Sequence, residues 1–418
     1  MKVLKFLKWF YPGLKVKRWI VLLSSGVFLL AISIARFLLD TLLMLKILDT
    51  LLFILGLILF TLGIRYLIRS FFEVIGPNKE LIDIIYEKRY LSRGPRVVTI
   101  GGGTGLSTIL EGLKEHTSNI TAIVAVADEG GSSGRLREEF GILPPGDIRN
   151  CLVSLAEAPQ LMRDLFQYRF EEGKGIKGHS FGNLFITALT EVTGSFEEAI
   201  EESSKVLAIK GKVIPSSLDR VRLKAQYLDG SIKEGEDKIP KEGKPIKRVW
   251  IIPEYAKPNP QAIEAIREAE VIILGPGSLF TSILPNLLIE EITKAICSRK
   301  DILRLYICNV MTQHGETDGL TAYDHWEKLI MHTHPNIVNC CLVNCGRLPS
   351  HLLFRYSQEK SFPVIPDTYK LREKGILVFE KDVVSRENYL RHDPYKTARE
   401  IMGIYGYFKR KWKRLRKK

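Results

Sequence analysis

No Gly-Lys-Ser or Gly-Lys-Thr tripeptide occurs anywhere in the chain, which excludes a P-loop. No Cys-x-x-Cys pair occurs either. The six cysteines include Cys340, Cys341 and Cys345 in the apolar, strand-like run "NCCLVNCG", so buried reduced thiols are the expectation. His332 and His334 in "HTH" read as helix-end residues rather than metal ligands. No repeat at a fixed period is present. Acid is missing from both ends: residues 1–18 hold six basic side chains and no acid, and Lys409–Lys418 holds eight and no acid. The net charge of +14 is therefore terminal, because the remaining 47 basic residues balance 47 acidic ones. A neutral body without a recognised nucleic-acid motif argues against nucleic acid as a partner. Beside a membrane, such a tail would be drawn to anionic lipid by ~1 kcal/mol per Lys or Arg.

Two long apolar runs make a membrane the expected neighbour. Trp19–Leu39 carries one charge, Arg36, and Leu51–Ile68 carries one, Arg65, each near its end. Each run can cross the ~30 Å hydrocarbon core as a helix. A cleaved signal peptide fits poorly, since a second run follows and no small-residue cleavage site intervenes. Basic residues flank the outer ends of the pair (Lys2 to Arg18, then Arg65, Arg69 and Lys79), whereas the connection has only Lys46 beside Asp40 and Asp49. The positive-inside rule then places both termini, and everything after residue 70, in the cytoplasm at the inner membrane. The expected organisation is a transmembrane hairpin (1–70), an amphipathic connector (71–94), an α/β domain (95–400) and a basic tail (401–418).

After the connector, apolar runs alternate with helical periodicity. Strands are expected at Val97–Ile100, Ile120–Ala127, Arg248–Ile252, Val271–Leu274, Leu303–Asn309 and Ile337–Asn344. The pattern predicts a Rossmann-like, doubly wound, mainly parallel sheet. Residues 150–210 read as a helical insertion, and the charged piece from Tyr227 to Val249 as a surface hairpin excursion. Ligands of such sheets bind at the strands' carboxyl ends. There "GGGTGLS" (Gly101–Ser107) and "GPGS" (Gly275–Ser278) each join a strand to a helix, so each offers backbone amides to an anion. Two such turns suggest a ligand with two anionic groups, such as a nucleoside diphosphate derivative. Asp128 stands where an acid meets a ribose or a divalent ion, or forms a turn. Asp147 reads as an N-cap, with Arg149 and Asn150 in the following turn. His179, Ser180 and Asn183 sit at a loop-to-helix junction. Asn309, Thr312, Glu316 and Asp318 follow a further strand.

Six ordered motifs, "GGGTGLS", "DEGGSSGRLR", "PPGDIRN", "GHSFGN", "LGPGSLFTSILPNLL" and "CNVMTQHGETDG", closely resemble the gluconeogenesis-factor family of YvcK-like proteins. These are relatives of the CofD-type 2-phospho-L-lactate transferases. The resemblance spans roughly residues 95–350 and continues to about 400. It implies a Rossmann-like fold that binds UDP-sugars, notably UDP-N-acetylglucosamine, and a role in cell shape and envelope-precursor metabolism during gluconeogenic growth. Carried over motif by motif, Gly102, Gly103, Thr104 and Gly105 would meet the nucleotide, with Asp128 beside it. Gly277 and Ser278 would face phosphate or sugar. Arg149, Asn150, His179 and Asn183 would line the crevice between. The family usually has two successive aspartates where this chain has Asp128-Glu129, which leaves Mg²⁺ open. A CofD-like transferase, moving a phospholactyl-type group, is the competing function. A homo-oligomer is also open.

Overall fold

The computed structural model describes residues 16–39, 42–75, 89–387 and 389–415. The chain forms two compact units, Met1–Lys88 and Arg89–Lys418. Most of the expected connector lies outside the described residues.

The first unit holds α1 (Val16–Leu39) and α2 (Leu43–Ile75), two helices long and apolar enough to cross a membrane. Only 11% and 17% of their most apolar windows are buried, so neither is packed as the core helix of a soluble domain would be. Their buried positions are Gly26 and Ser33 on α1 and Asp49, Gly56, Gly63 and Ser70 on α2, spaced by seven. A seven-residue period keeps one seam facing its partner, and small residues in it let the backbones approach. A Cβ on Gly26 would stand 2.5 Å from the Phe60 nitrogen. Trp19 stacks on Tyr66 at one end. At the other, Arg36 Nε pairs with the buried Asp49 carboxylate at 3.1 Å. The second helix runs five residues past the expected boundary at 70.

The second unit is built on a seven-stranded sheet in the order β10-β9-β8-β7-β1-β2-β3. Its strands are β1 (Val97–Gly101), β2 (Ile120–Val124), β3 (Lys212–Pro215), β7 (Val271–Leu274), β8 (Leu303–Ile307), β9 (Cys340–Asn344) and β10 (Leu377–Lys381), with every pairing parallel. The central strands are almost wholly buried and mainly apolar, with Thr99 and Arg304 as buried polar exceptions, because helices cover both faces, as parallel sheets require. The expected strand at Arg248–Ile252 belongs elsewhere. It is part of β6 (Ile246–Ile252), which with β4 (Arg222–Tyr227) and β5 (Ile232–Glu234) forms a separate antiparallel sheet. The half-exposed alternation of β4 and β6 is the pattern of a sheet with one solvated face.

Four helices position the site. They are α3 (Gly103–Leu113), α4 (Gly131–Phe140), α5 (Gly146–Leu155) and α6 (Phe181–Thr193). As far as residue 415 the basic end is not a separate tail. It continues α7 (Pro394–Leu415), whose Ala398, Ile401 and Ile404 are buried while Lys409 and Arg410 are exposed. Of the cysteines, Cys151, Cys308, Cys340 and Cys341 are buried free thiols, Cys297 is half-buried, and Cys345 is exposed.

Candidate functional site

From β1 the chain winds outward through β2 to β3, then returns and winds the opposite way from β7 to β10. The reversal lies between the paired neighbours β1 and β7. At their carboxyl ends the crossovers diverge and leave a crevice. A cleft of about 480 Å³ opens there, walled by the turns after β1 and β7. Gly105 is needed for their contact, because a Cβ would meet the Pro276 carbonyl oxygen at 2.5 Å. Gly103 and Gly277 have φ of +63° and +153°, which side chains rarely adopt. Gly102, Gly103, Thr104, Gly105, Asp128, Gly277, Ser278 and Asn309, all expected from the sequence, line this cleft.

Two of the amides assigned to phosphates, those of Gly103 and Gly277, already have partners. The Gly103 N–H donates to Asp147 Oδ2 at 2.7 Å. Asp147 is therefore not an N-cap: α5 begins at Gly146, and the carboxylate reaches out of its first turn to the N-terminus of α3. The Gly277 N–H donates to Asn309 Oδ1 (3.2 Å), and Asn309 Nδ2 returns a bond to the Gly277 carbonyl (2.9 Å). Gln313 Nε2 donates to Ser278 Oγ at 2.7 Å. Beyond the second turn, the backbone N–H groups of Phe280 and Thr281 donate to the buried Glu316 carboxylate. Both helical N-termini thus face an internal carboxylate, which satisfies orphan amides and helix dipoles as an external anion would.

The cleft floor is consequently acidic. Burial pushes Asp147 up to about 6, with the neighbouring Asp128 adding to the rise. Asp128 is raised chiefly by burial, though its Oδ1 accepts the Gly130 N–H at 2.9 Å. Glu316 is pushed up to about 7 by burial. A fourth acid, Glu236, lines the cleft and rises to about 9, through burial first and then repulsion from Asp128. It comes from the β5–β6 connection, so the excursion does more than decorate the surface. Glu129 points away, 3.4 Å from Arg222 Nε and 4.0 Å from Arg137 Nη1. For Mg²⁺, no group of three or more His, Cys, Asp or Glu side chains is arranged as a cage among the described residues. An ion held at Asp128 would need oxygens from a ligand to complete its shell.

Four expected residues lie elsewhere. Arg149 donates to Ser180 Oγ, and to Asn150 Oδ1 at 2.7 Å. Ser132 Oγ bonds His179 Nδ1 at 2.9 Å, and Asn183 Nδ2 donates to Ser132 Oγ at 3.0 Å. These bonds tie α4, α5 and α6 together, and Arg149, Asn150, His179 and Asn183 do not line the cleft described above. His332 is internal as well, its Nε2 accepting the Val249 N–H at 3.1 Å.

The cleft's cationic edge escaped the sequence reading. Arg355 and Arg391 both lie over the Tyr389 ring, 5.1 and 5.0 Å from its centroid, and all three residues are exposed lining residues. Neither guanidinium is ion-paired among the described residues. They come from the helix Ser350–Gln358 and the loop before α7, where no strand-to-helix glycine turn draws attention.

A switch-point cleft in this strand order defines a Rossmann-like α/β protein with a ligand-sized site. Residues 97–384 match the family described as 2-phospho-L-lactate transferase CofD, and the chain belongs to that family. Among its relatives, the gluconeogenesis factor of Bacillus subtilis is 46% identical over 75% of this chain and 99% of its own length. A Nostoc sp. relative, named provisionally as a gluconeogenesis factor, is 43% identical over 97% of this chain and 94% of its own. That overlap has to include most of the N-terminal unit. A crystal structure of a Bacillus halodurans protein of the UPF0052 family superposes with a TM-score of 0.72 at 48% identity, covering 74% of this chain and 99% of that one.

Proposed function

We propose that this protein is a membrane-tethered, cytoplasmic receptor for a nucleotide sugar such as UDP-N-acetylglucosamine, and that it regulates envelope-precursor metabolism and cell shape during gluconeogenic growth. The observation that carries the reading is the polarity of the cleft. Two guanidiniums stacked on Tyr389 stand at the edge of a cleft floored by Asp128, Asp147 and Glu236. Guanidiniums suit a diphosphate, through charge-assisted and bidentate bonds. Carboxyl groups suit hydroxyls, which donate to them. A ligand with an anionic middle and hydroxyl-rich sugars matches both, and the cleft volume lies within the range for small-molecule sites. The internal carboxylates at both helical N-termini favour the arginine edge as the diphosphate site.

Tethering is supported by the two apolar helices and by the charge asymmetry around them. The basic end of α7 would add an electrostatic attachment to anionic lipid. A transferase is the second reading. It is favoured by Asp147, whose carboxyl near pH 6 beside Asp128 has the affinity a general base needs. Saturation-transfer NMR of the full chain in detergent, with UDP-N-acetylglucosamine, UDP, free N-acetylglucosamine and GDP, tests both. The proposal expects contacts to both ends of the nucleotide sugar and no new product on long incubation with Mg²⁺. Absence of any ligand contact would remove it, and turnover would replace it with the transferase.

A further inference from the structure

The antiparallel sheet has two faces with different duties. Leu223, Ala225 and Tyr227 of β4 and Val249 and Ile251 of β6 point inward and belong to the main core. The β5–β6 connection brings Glu236 to the cleft. The outer face carries none of this. There the register sets Trp250 of β6 beside Lys224 of β4, with Arg248 beside Gln226 in the next row. Ile232 and Glu234 of β5 complete the face, and all six side chains are exposed or half-exposed.

A solvated sheet face is ordinarily polar. This one has an indole at its centre and Ile232, 58% exposed, on its edge strand. Arg248 lies over the Trp250 ring, 5.2 Å from its centroid, while its Nε donates to Gln226 Oε1 at 3.1 Å. Indole and amide together orient the guanidinium, and no acid pairs with it among the described residues. The acid of the face, Glu234, is shared by Lys224 at 3.0 Å and Arg222 at 3.2 Å. The face is therefore net positive around an aromatic. Tryptophan and arginine are the residues that most often carry binding energy in protein interfaces.

We infer that this face docks a partner protein through a segment that carries carboxylates beside an apolar side chain. A carboxylate meets the oriented fork of Arg248 in a two-bond contact. The neighbouring apolar side chain covers Trp250 and Ile232. Single-stranded nucleic acid fits less well, because sheets that bind it offer several stacking aromatics and several phosphate contacts. Here one indole is present, and Glu234 faces outward, where it repels phosphate. A second copy would bring a different patch, the acidic helix Phe196–Leu207, and such a contact does not close on itself. The docking surface does not depend on which ligand fills the cleft.

The test titrates two peptides of equal length, one of Glu-Glu-Leu repeats and one of Lys-Lys-Leu repeats, into the full chain in nonionic detergent. The chain carries fluorotryptophan at its five tryptophans, and the ¹⁹F signal of Trp250 is the one missing from Trp250→Phe. The acidic peptide is expected to shift that signal saturably. It should do so equally in the chain with Arg355→Ala and Arg391→Ala, which lacks the cationic edge of the cleft. Arg248→Ala should weaken the acidic peptide about tenfold, and Arg248→Glu should transfer the preference to the basic one, both at an unchanged melting temperature. A Trp250 signal that neither peptide moves, or that both move equally, would overturn the inference. So would a signal moved by an oligonucleotide or anionic vesicles and not by the acidic peptide. A shift that appears on concentrating the chain alone would give the face to a second copy and overturn it too.

Discussion

Asp147 shows how one side chain sets the character of the cleft. Folded, it keeps its proton up to about pH 6, whereas its ordinary value is 3.8. Folding therefore takes up a proton between those values. This contribution to stability is full below about pH 4 and is lost as the pH rises through 6. Asp147→Asn keeps an acceptor for the Gly103 N–H and removes the charge. It is expected to raise the melting temperature more at pH 8 than at pH 5, with a gain of up to ~3 kcal/mol at the higher pH. Equal shifts at both pH values would mean that the buried charge is not what matters. Arg149 belongs to the opposite kind. Its bonds to Ser180 and Asn150 are internal, so Arg149→Met should cost ~1–3 kcal/mol of stability and leave nucleotide affinity unchanged in the folded fraction. A specific loss of affinity in calorimetry would return Arg149 to the binding site. The sequence read Asp147 as an N-cap with Arg149 in the turn after it, and the family resemblance put Arg149 in the crevice. Neither could tell which side chain turns toward the cleft, since that depends on how α5 packs: Asp147 bonds to the start of α3 and Arg149 to the start of α6.

At the scale of elements, the turns after β1 and β7 act as one unit because Gly105 lets them touch. Gly105→Ala sets a methyl group against the Pro276 carbonyl, which has no flexible end to move. The overpacking should cost ~1–3 kcal/mol and open the cleft, lowering melting temperature and nucleotide affinity together. Gly103→Ala has room, its nearest neighbour being Ser282 Oγ at 3.7 Å, but bears a φ of +63°. Its cost should be ~1–2 kcal/mol, with the affinity better preserved. If Gly103→Ala proved the more damaging to binding, close contact between the turns would not be what shapes the site. The central strands were legible because they are buried on both faces and therefore mainly apolar. The edges were not. β3 is four residues ending in Pro215, and β10 is half-exposed, so neither carries a buried-strand pattern. Glu236 was illegible for a related reason: "KEGEDK" reads as a solvated charge run until β4 and β6 carry it over the cleft.

For the whole molecule, the two units predict two separable attachments to a membrane. The second unit should fold alone, since the Bacillus halodurans chain, matched over 99% of its length by 74% of this one, forms crystals. Deleting residues 1–75 should release it from membranes at high salt while leaving binding to anionic vesicles at low salt. Also removing Lys409–Lys418 should abolish that residual binding and leave the fold intact, because the fully buried positions of α7 end at Ile404 and the deletion takes away little beyond the half-buried Trp412 and the Lys409–Glu270 ion pair. Salt-resistant sedimentation with vesicles after both deletions would contradict this picture.

The central claim is that the arginine edge and acidic floor hold a nucleotide sugar, and calorimetry with UDP-N-acetylglucosamine tests it most directly. The native chain should bind it. Arg355 and Arg391 are exposed, so alanine at both should leave the melting temperature unchanged. Each lost charge-assisted bond is worth ~1.5–3 kcal/mol, so the double variant should bind at least a hundredfold more weakly. An affinity unchanged in the folded double variant, or no binding by the native chain, would contradict the account.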